Sequence, residues 1–283
     1  MNGLAGDGQM TRRNIRIVCA VTGFLTLCIV FGIYDFEISF AVVHPSWRML
    51  QLLESFGLLA APFLLLFAGV CVAVCAVKQQ HLLHRKRHIV VGIGCAAASA
   101  GYCLSITAKA SAAAAIVFLA VTAVLVLLLI KYLLHAPAHI CERLFHISLI
   151  YLLAVVFTLV SVCVLKLCWG RIRFRQLCTP DDFSPWFLPQ GVTGFVSFPS
   201  GHTANAALLF IVTLFVPYVK HRAAKWACYI LPAVWTIVMA VSRVMIGAHY
   251  ASDVLFGAAV SVCSLYLAKR FVEKKCALKN KSS

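Results

Sequence analysis

Apolar residues in this chain do not alternate with polar ones; they gather into long runs separated by short polar segments. Eight runs stand out, at about 17–34, 58–77, 89–106, 112–130, 147–165, 204–219, 228–246 and 252–268. A bilayer core of about 30 Å needs roughly 17–25 such residues per helix. The pattern predicts an all-α, polytopic membrane helical bundle of about eight transmembrane helices, one integral membrane domain over 1–283. The first five runs hold no Lys, Arg, Asp or Glu; Arg243 ends the seventh and Asp253 opens the eighth. Only "TAKAS" (107–111) divides the third run from the fourth, yet together they are too long for one helix. Residues 78–135 are therefore expected to form a transmembrane hairpin.

Composition fits that solvent: 62% of the 283 residues are hydrophobic and 12% charged, too apolar for a single water-soluble core. The net charge of +16 would suggest nucleic acid in a soluble protein. Here the positive residues lie between apolar runs, so the membrane surface is the expected partner and nucleic acid is not. With eight spans, 18 of the 25 Lys and Arg fall on one side together with both termini. The positive-inside rule makes that side cytoplasmic in a multi-pass protein of the plasma (inner) membrane. A cleaved signal peptide over 12–34 is the alternative, but the run passes into "YDFEISF" without a small-residue cleavage site.

The thirteen cysteines mostly lie within apolar runs. Cys71 and Cys75 share a helix face without an accompanying His or acid, so they read as small buried hydrophobes, not metal ligands. Cys168 and Cys178 flank a basic loop and could pair in an oxidising compartment; the sequence leaves this open.

Five of the seven cations on the outer side lie in two places, Lys166–Arg175 and Arg243. Ionisable groups at the membrane edge point to function by default. Three segments reach that face: "KLCWGRIRFRQ" (166–176), "FPSGHT" (198–203) and "SRVMIGAHYASD" (242–253), with a polar loop (175–197) long enough to cover a site. Lys166, Arg173 and Arg243 form a cationic set without matching acids, costly unless an anion visits. Arginine forks suit phosphate oxygens. Ser200 adds a hydroxyl, Gly201 permits close backbone approach, and the helix start beyond them favours an anion. His249 and Asp253 stand one helical turn apart, so the carboxylate can orient the imidazole as a nucleophile. His202, on another helix, can protonate a departing alkoxide. This is a phosphoryl-transfer set needing no metal or other cofactor. Each piece has a plain structural use: His202 as a cap, His249 with Asp253 as a helix pair, Arg173 and Arg175 on lipid headgroups. Their meeting on one face is what favours chemistry.

These residues resemble the type 2 phosphatidic acid phosphatase superfamily, whose motifs are K-x6-R-P, P-S-G-H and S-R-x5-H-x3-D. The chain carries Lys166 with six residues before Arg173, then Pro199-Ser200-Gly201-His202, then Ser242-Arg243 with His249 and Asp253 in register. The resemblance is strong over about 147–268, the motif-bearing core in the C-terminal half. It implies a metal-independent α-helical membrane phosphatase with His249 as nucleophile, Asp253 as its partner and His202 as general acid. Lys166, Arg173, Ser200, Gly201 and Arg243 would bind phosphate. Phe174 stands where the motif has proline, which relaxes the backbone after Arg173 but removes no reacting group. Many membrane members have six spans, and an added hairpin keeps the site on the same face.

The function expected is therefore a lipid phosphate or diphosphate phosphatase at the outer leaflet, acting through phosphohistidine. Phosphatidate, phosphatidylglycerophosphate, lipid A phosphate and undecaprenyl diphosphate are all compatible substrates, and the isoprenyl diphosphate is slightly favoured because its phosphate appears on the outer face. A headgroup transferase on the same site differs only in its acceptor. An anionic-lipid transporter fits less well, because transport sites lie near the midplane and these charges lie at one edge.

Overall fold

A computed structural model describes residues 3–79 and 82–282. Among them every regular element is helical. In hydrocarbon each backbone N–H and C=O must find a partner within its own segment, and a helix meets that demand. The long helices are α1 (Gly3–Val42), α3 (Ala60–Lys78), α4 (Arg85–Ala110), α5 (Ala112–His135), α6 (Ala138–Trp169), α8 (Arg222–Met245) and α9 (Ala251–Ser282). Two short helices, α2 (Arg48–Phe56) and α7 (Gly201–Ala207), lead into the second and sixth spans. Eight helices are thus long and apolar enough to cross a membrane, as the eight runs predict, and the protein is a multi-pass membrane protein.

The boundaries extend beyond the apolar runs. The first span continues to Val42, so Asp35, just past the predicted end, is a buried residue of α1. Residues 48–56, outside any predicted run, form α2, whose Leu50 packs against Ile246 and Ala248. Between α4 and α5 a single residue, Ser111, breaks the helix with an extended backbone, and its hydroxyl accepts from the Ala114 N–H at 3.0 Å. Ser111 is thus both the stop and the N-cap.

The sixth span is the shortest, at 18 residues. After α7 it continues as a 3-10 helix over Leu208–Tyr218. A 3-10 turn rises about 2.0 Å per residue against 1.5 Å in an α-helix, so the segment reaches about 32 Å and matches a bilayer core.

Small residues set the closest helix packing. A Cβ on Gly69 would lie 2.6 Å from the Gly92 carbonyl, and one on Gly92 equally close to that of Gly69, so α3 and α4 touch backbone to backbone. The largest core cluster joins α3, α6 and the sixth span around Val72, Cys75, Tyr151 and Ala154. Cys71 and Cys75 are buried there, in keeping with their reading as small hydrophobes. Tyr151 Oη donates to the Ala61 carbonyl at 2.9 Å. Asn205 of α7 donates to the Leu58 carbonyl at 3.2 Å and accepts from the Ala61 N–H at 3.4 Å. The PSGH helix is thereby stitched to the α2–α3 junction, and α2 is held at the site end of the bundle.

Candidate active site

The three predicted segments converge at one end of the bundle. Ser200 is the N-cap of α7: its Oγ accepts from the Thr203 N–H at 3.3 Å and from Thr203 Oγ1 at 3.1 Å, which keeps its own proton available. The Ser200 N–H donates to the Asp253 carbonyl at 2.9 Å, tying α7 to the start of α9. That approach depends on Gly257, where a Cβ would come within 2.4 Å of the Ser200 carbonyl. A Cβ on Gly201 would meet no protein atom within 4 Å, so this residue faces an open cradle.

His249 follows a tight turn at Gly247, whose φ of +70 suits glycine. Its Nδ1 lies 2.7 Å from the Ser197 carbonyl. A carbonyl only accepts, so Nδ1 carries the proton and Nε2 keeps its lone pair. Asp253 Oδ2 stands 3.6 Å from the same nitrogen, an ion-pair separation and not a hydrogen bond. The expected orienting carboxylate is thus assisted by a main-chain carbonyl. Burial pushes the His249 imidazole below its ordinary value; Asp253 opposes this, while Lys166 and Arg173 add to it.

Asp253 is fully buried and fully occupied. Its Oδ1 accepts from Arg171 Nη1 at 2.7 Å, and its Oδ2 from Ser197 Oγ at 2.5 Å and the Tyr250 N–H at 3.0 Å. Arg171 in turn donates to Asp35 Oδ2 at 3.0 Å, to Ser252 Oγ at 2.8 Å and, through Nε, to the Ser184 carbonyl at 2.7 Å. Asp35 closes the network by accepting from the Ser252 N–H at 2.9 Å. The guanidinium also stacks 4.0 Å from the Tyr250 ring centre. Burial would discharge Arg171, but the carboxylates of Asp253 and Asp35 outweigh it and hold the group above its ordinary value.

The remaining cations surround His249. Lys166 Nζ donates to the Val196 carbonyl, and both Lys166 and Arg173 act electrostatically on the imidazole. Burial and the neighbouring Arg175 hold Arg173 below its ordinary value. Arg243 is fully buried; its Nη2 donates to the Leu50 carbonyl at 3.4 Å. Two buried nitrogens of these arginines, Arg173 Nε and Arg243 Nη1, have no hydrogen-bond partner. Buried donors of this kind are expected where a ligand oxygen belongs. His202 Nε2 lies 3.1 Å from the Glu54 carbonyl, so that nitrogen carries a proton.

The loop over 175–197 is fastened at both ends. The Arg175 N–H donates to the Gly247 carbonyl at 2.9 Å and the Ser197 N–H to the Arg171 carbonyl at 2.9 Å. Trp186 donates to the Cys28 carbonyl at 3.1 Å and its ring packs 4.7 Å from Phe256. Cys168 and Cys178 are both exposed and unbonded. Among the described residues no three His, Cys, Asp or Glu side chains converge as a metal-ligating set.

All eight predicted site residues therefore gather at one face. Five that sequence reasoning did not assign to the site join them: Asp35, Glu54, Arg171, Arg175 and Ser197. Asp35 carried a usable signal, since an acid so near the apolar run is costly unless paired.

Residues 147–276 match the family model described as the PAP2 superfamily. Over those residues the chain is similar to the PAP2 superfamily. Among curated proteins, the chain resembles "Phosphatidylglycerophosphatase B" of Bacillus subtilis, 36% identical over 94 residues, 32% of this chain and 46% of that protein. It also resembles "Lipid A 1-phosphatase" of Rhizobium johnstonii, 36% identical over 110 residues, 37% of this chain and 39% of that protein. The chain thus spans less than half the length of these relatives. No solved structure matches it significantly.

Proposed function

We propose that the chain is an integral membrane lipid phosphate phosphatase that works through a phosphohistidine on His249. One observation carries the reading: the Ser197 carbonyl fixes the proton on Nδ1, leaving Nε2 as the lone-pair nitrogen of a ring within electrostatic reach of Lys166 and Arg173. Nε2 attacks phosphorus, an N–P bond forms, and the bond from phosphorus to the leaving oxygen breaks. The departing oxygen takes a proton from the imidazolium form of His202, which is left as the neutral ring. A water then attacks the phosphohistidine, giving its proton to His202, and phosphate leaves with His249 restored. Lys166, Arg173, Arg243, the Ser200 hydroxyl and the backbone at Gly201 hold the equatorial oxygens. No metal is assigned a role.

The names of the two relatives support a phosphorylated membrane lipid as substrate, phosphatidylglycerophosphate and lipid A 1-phosphate among them; phosphatidate and undecaprenyl diphosphate offer the same group. The bias of positive charge supports cytoplasmic termini and a site at the outer face of the plasma membrane. Helices α4 and α5, outside the matched region, are read as an added hairpin that preserves this orientation.

The test is phosphate release from a panel of these lipids by purified protein in detergent with excess chelator, beside His249→Ala. Release that survives chelation and vanishes in the variant is expected, and the ranking of lipids identifies the substrate. A folded wild-type protein that releases no phosphate from any of them would overturn the proposal.

A further inference from the structure

Helix α2 places an acid where the phosphate reading needs an anion. Glu54 Oε1 lies 3.2 Å from Arg175 Nη1 and 3.4 Å from Arg243 Nη1. Arg243 Nη1 is one of the two buried arginine nitrogens without a hydrogen bond among the described residues, so the carboxylate neutralises it without satisfying it. The same residue's main-chain carbonyl takes the proton of His202 Nε2, and one turn earlier the Leu50 carbonyl takes one from Arg243 Nη2. Three groups of the site are therefore engaged by one short helix. The Glu54 side chain is one-third exposed and paired with these two arginines.

We infer that Glu54 is a resident anion of the phosphate site, a specificity-determining residue whose carboxylate an incoming phosphate displaces from Arg175 and Arg243. The inference rests on the phosphate reading of the cationic cluster. A phosphate on Arg243 Nη1 and a carboxylate 3.4 Å from that nitrogen compete for one charge, and like charges at that spacing repel. Displacing Glu54 also pulls on the carbonyl that holds His202, so arrival of phosphate and release of the general acid become a single movement of the last turn of α2. Glu54 then acts as a tethered weak competitor: it favours groups carrying two negative charges over singly charged carboxylates or phosphodiesters, and it speeds departure of product phosphate.

Binding of inorganic phosphate to purified full-length protein in detergent, measured by calorimetry, tests this without relying on turnover. Glu54→Gln keeps shape and removes charge; phosphate should bind it about fivefold more tightly than wild type, as expected when a partly exposed ion pair no longer competes. Its KM for lipid phosphate should fall in parallel, whereas mere loss of a structural contact would raise it. Glu54→Asp, which keeps the charge on a shorter arm, should fall between the two, and it carries the test alone if the Gln variant does not fold. Phosphate binding equal to or weaker than wild type in the variants overturns the role of Glu54 and leaves the phosphate site standing. No phosphate binding by any of the proteins overturns both.

Discussion

Arg171 Nη1 donates to Asp253 Oδ1 at 2.7 Å, and its Nη2 reaches Asp35 on the first span at 3.0 Å. The residue beside the His249 imidazole, the proposed nucleophile, is therefore held by a cation that bridges two helices far apart in sequence. Asp253 needs this: its second oxygen already accepts two hydrogen bonds, and without Arg171 two carboxylates would be buried with no cation between them. Breaking a buried pair from one side costs about 3–5 kcal/mol. Arg171→Met should destabilise the protein by that amount in denaturant titrations and abolish most activity. Asp35→Asn leaves Arg171 paired to Asp253 and should cost clearly less.

Ser197 supports the site in two separable ways. Its carbonyl orients His249, and its hydroxyl donates to Asp253. Ser197→Ala removes only the second, a hydrogen bond to a charged acceptor worth about 1.5–3 kcal/mol. Steady-state kinetics should show kcat lowered about tenfold or more with KM little changed, since the cations proposed to bind phosphate are untouched.

The eight spans were legible because lipid imposes a simple demand, a helix of sufficient length, and uniform apolar runs announce it. The motif residues could be picked out because each chemical type suits the proposed phosphoryl transfer and the spacing within each motif is local, and the structure brings them together at one end of the bundle. Partners reached across the fold were not. Asp35 meets Arg171 across 136 positions, and no local pattern records that meeting. Glu54 lies in a stretch too polar to be read as a span and too short to stand out. The 3-10 form of the sixth span was hidden for another reason: in a run that is apolar on every side, a period of 3.0 cannot be told from 3.6.

Gly257 tests the seam between α7 and α9. A methyl group there must enter the 2.4 Å space before the Ser200 carbonyl, and the backbone must yield. Gly257→Ala should destabilise the protein by about 1–3 kcal/mol. It should also raise KM, because the shift moves Ser200 and Gly201 away from the phosphate position. Thermal unfolding in detergent and initial rates together check both effects.

Acidity reports on His249. Its folded-state pKa lies below the ordinary imidazole value near 6.5, chiefly through burial. The unfolded chain then binds more protons between the two values. This group's stability contribution is complete above about pH 6.5 and is lost as pH falls toward the folded value. The acid limb of kcat/KM should accordingly lie below about 6.5. Lys166→Gln removes a cation that holds the imidazole down, so it should move that limb upward while lowering the rate.

The most direct test of the central claim is to look for the phosphoryl group on the protein. His202→Ala, mixed with a radiolabelled lipid phosphate and quenched rapidly in base, should retain label in a base-stable, acid-labile bond. Peptide mapping should place it on His249, and the double variant with His249→Ala should carry none. A variant set that releases phosphate while His249 never bears label, or a His249→Ala protein that turns over normally, would contradict the account.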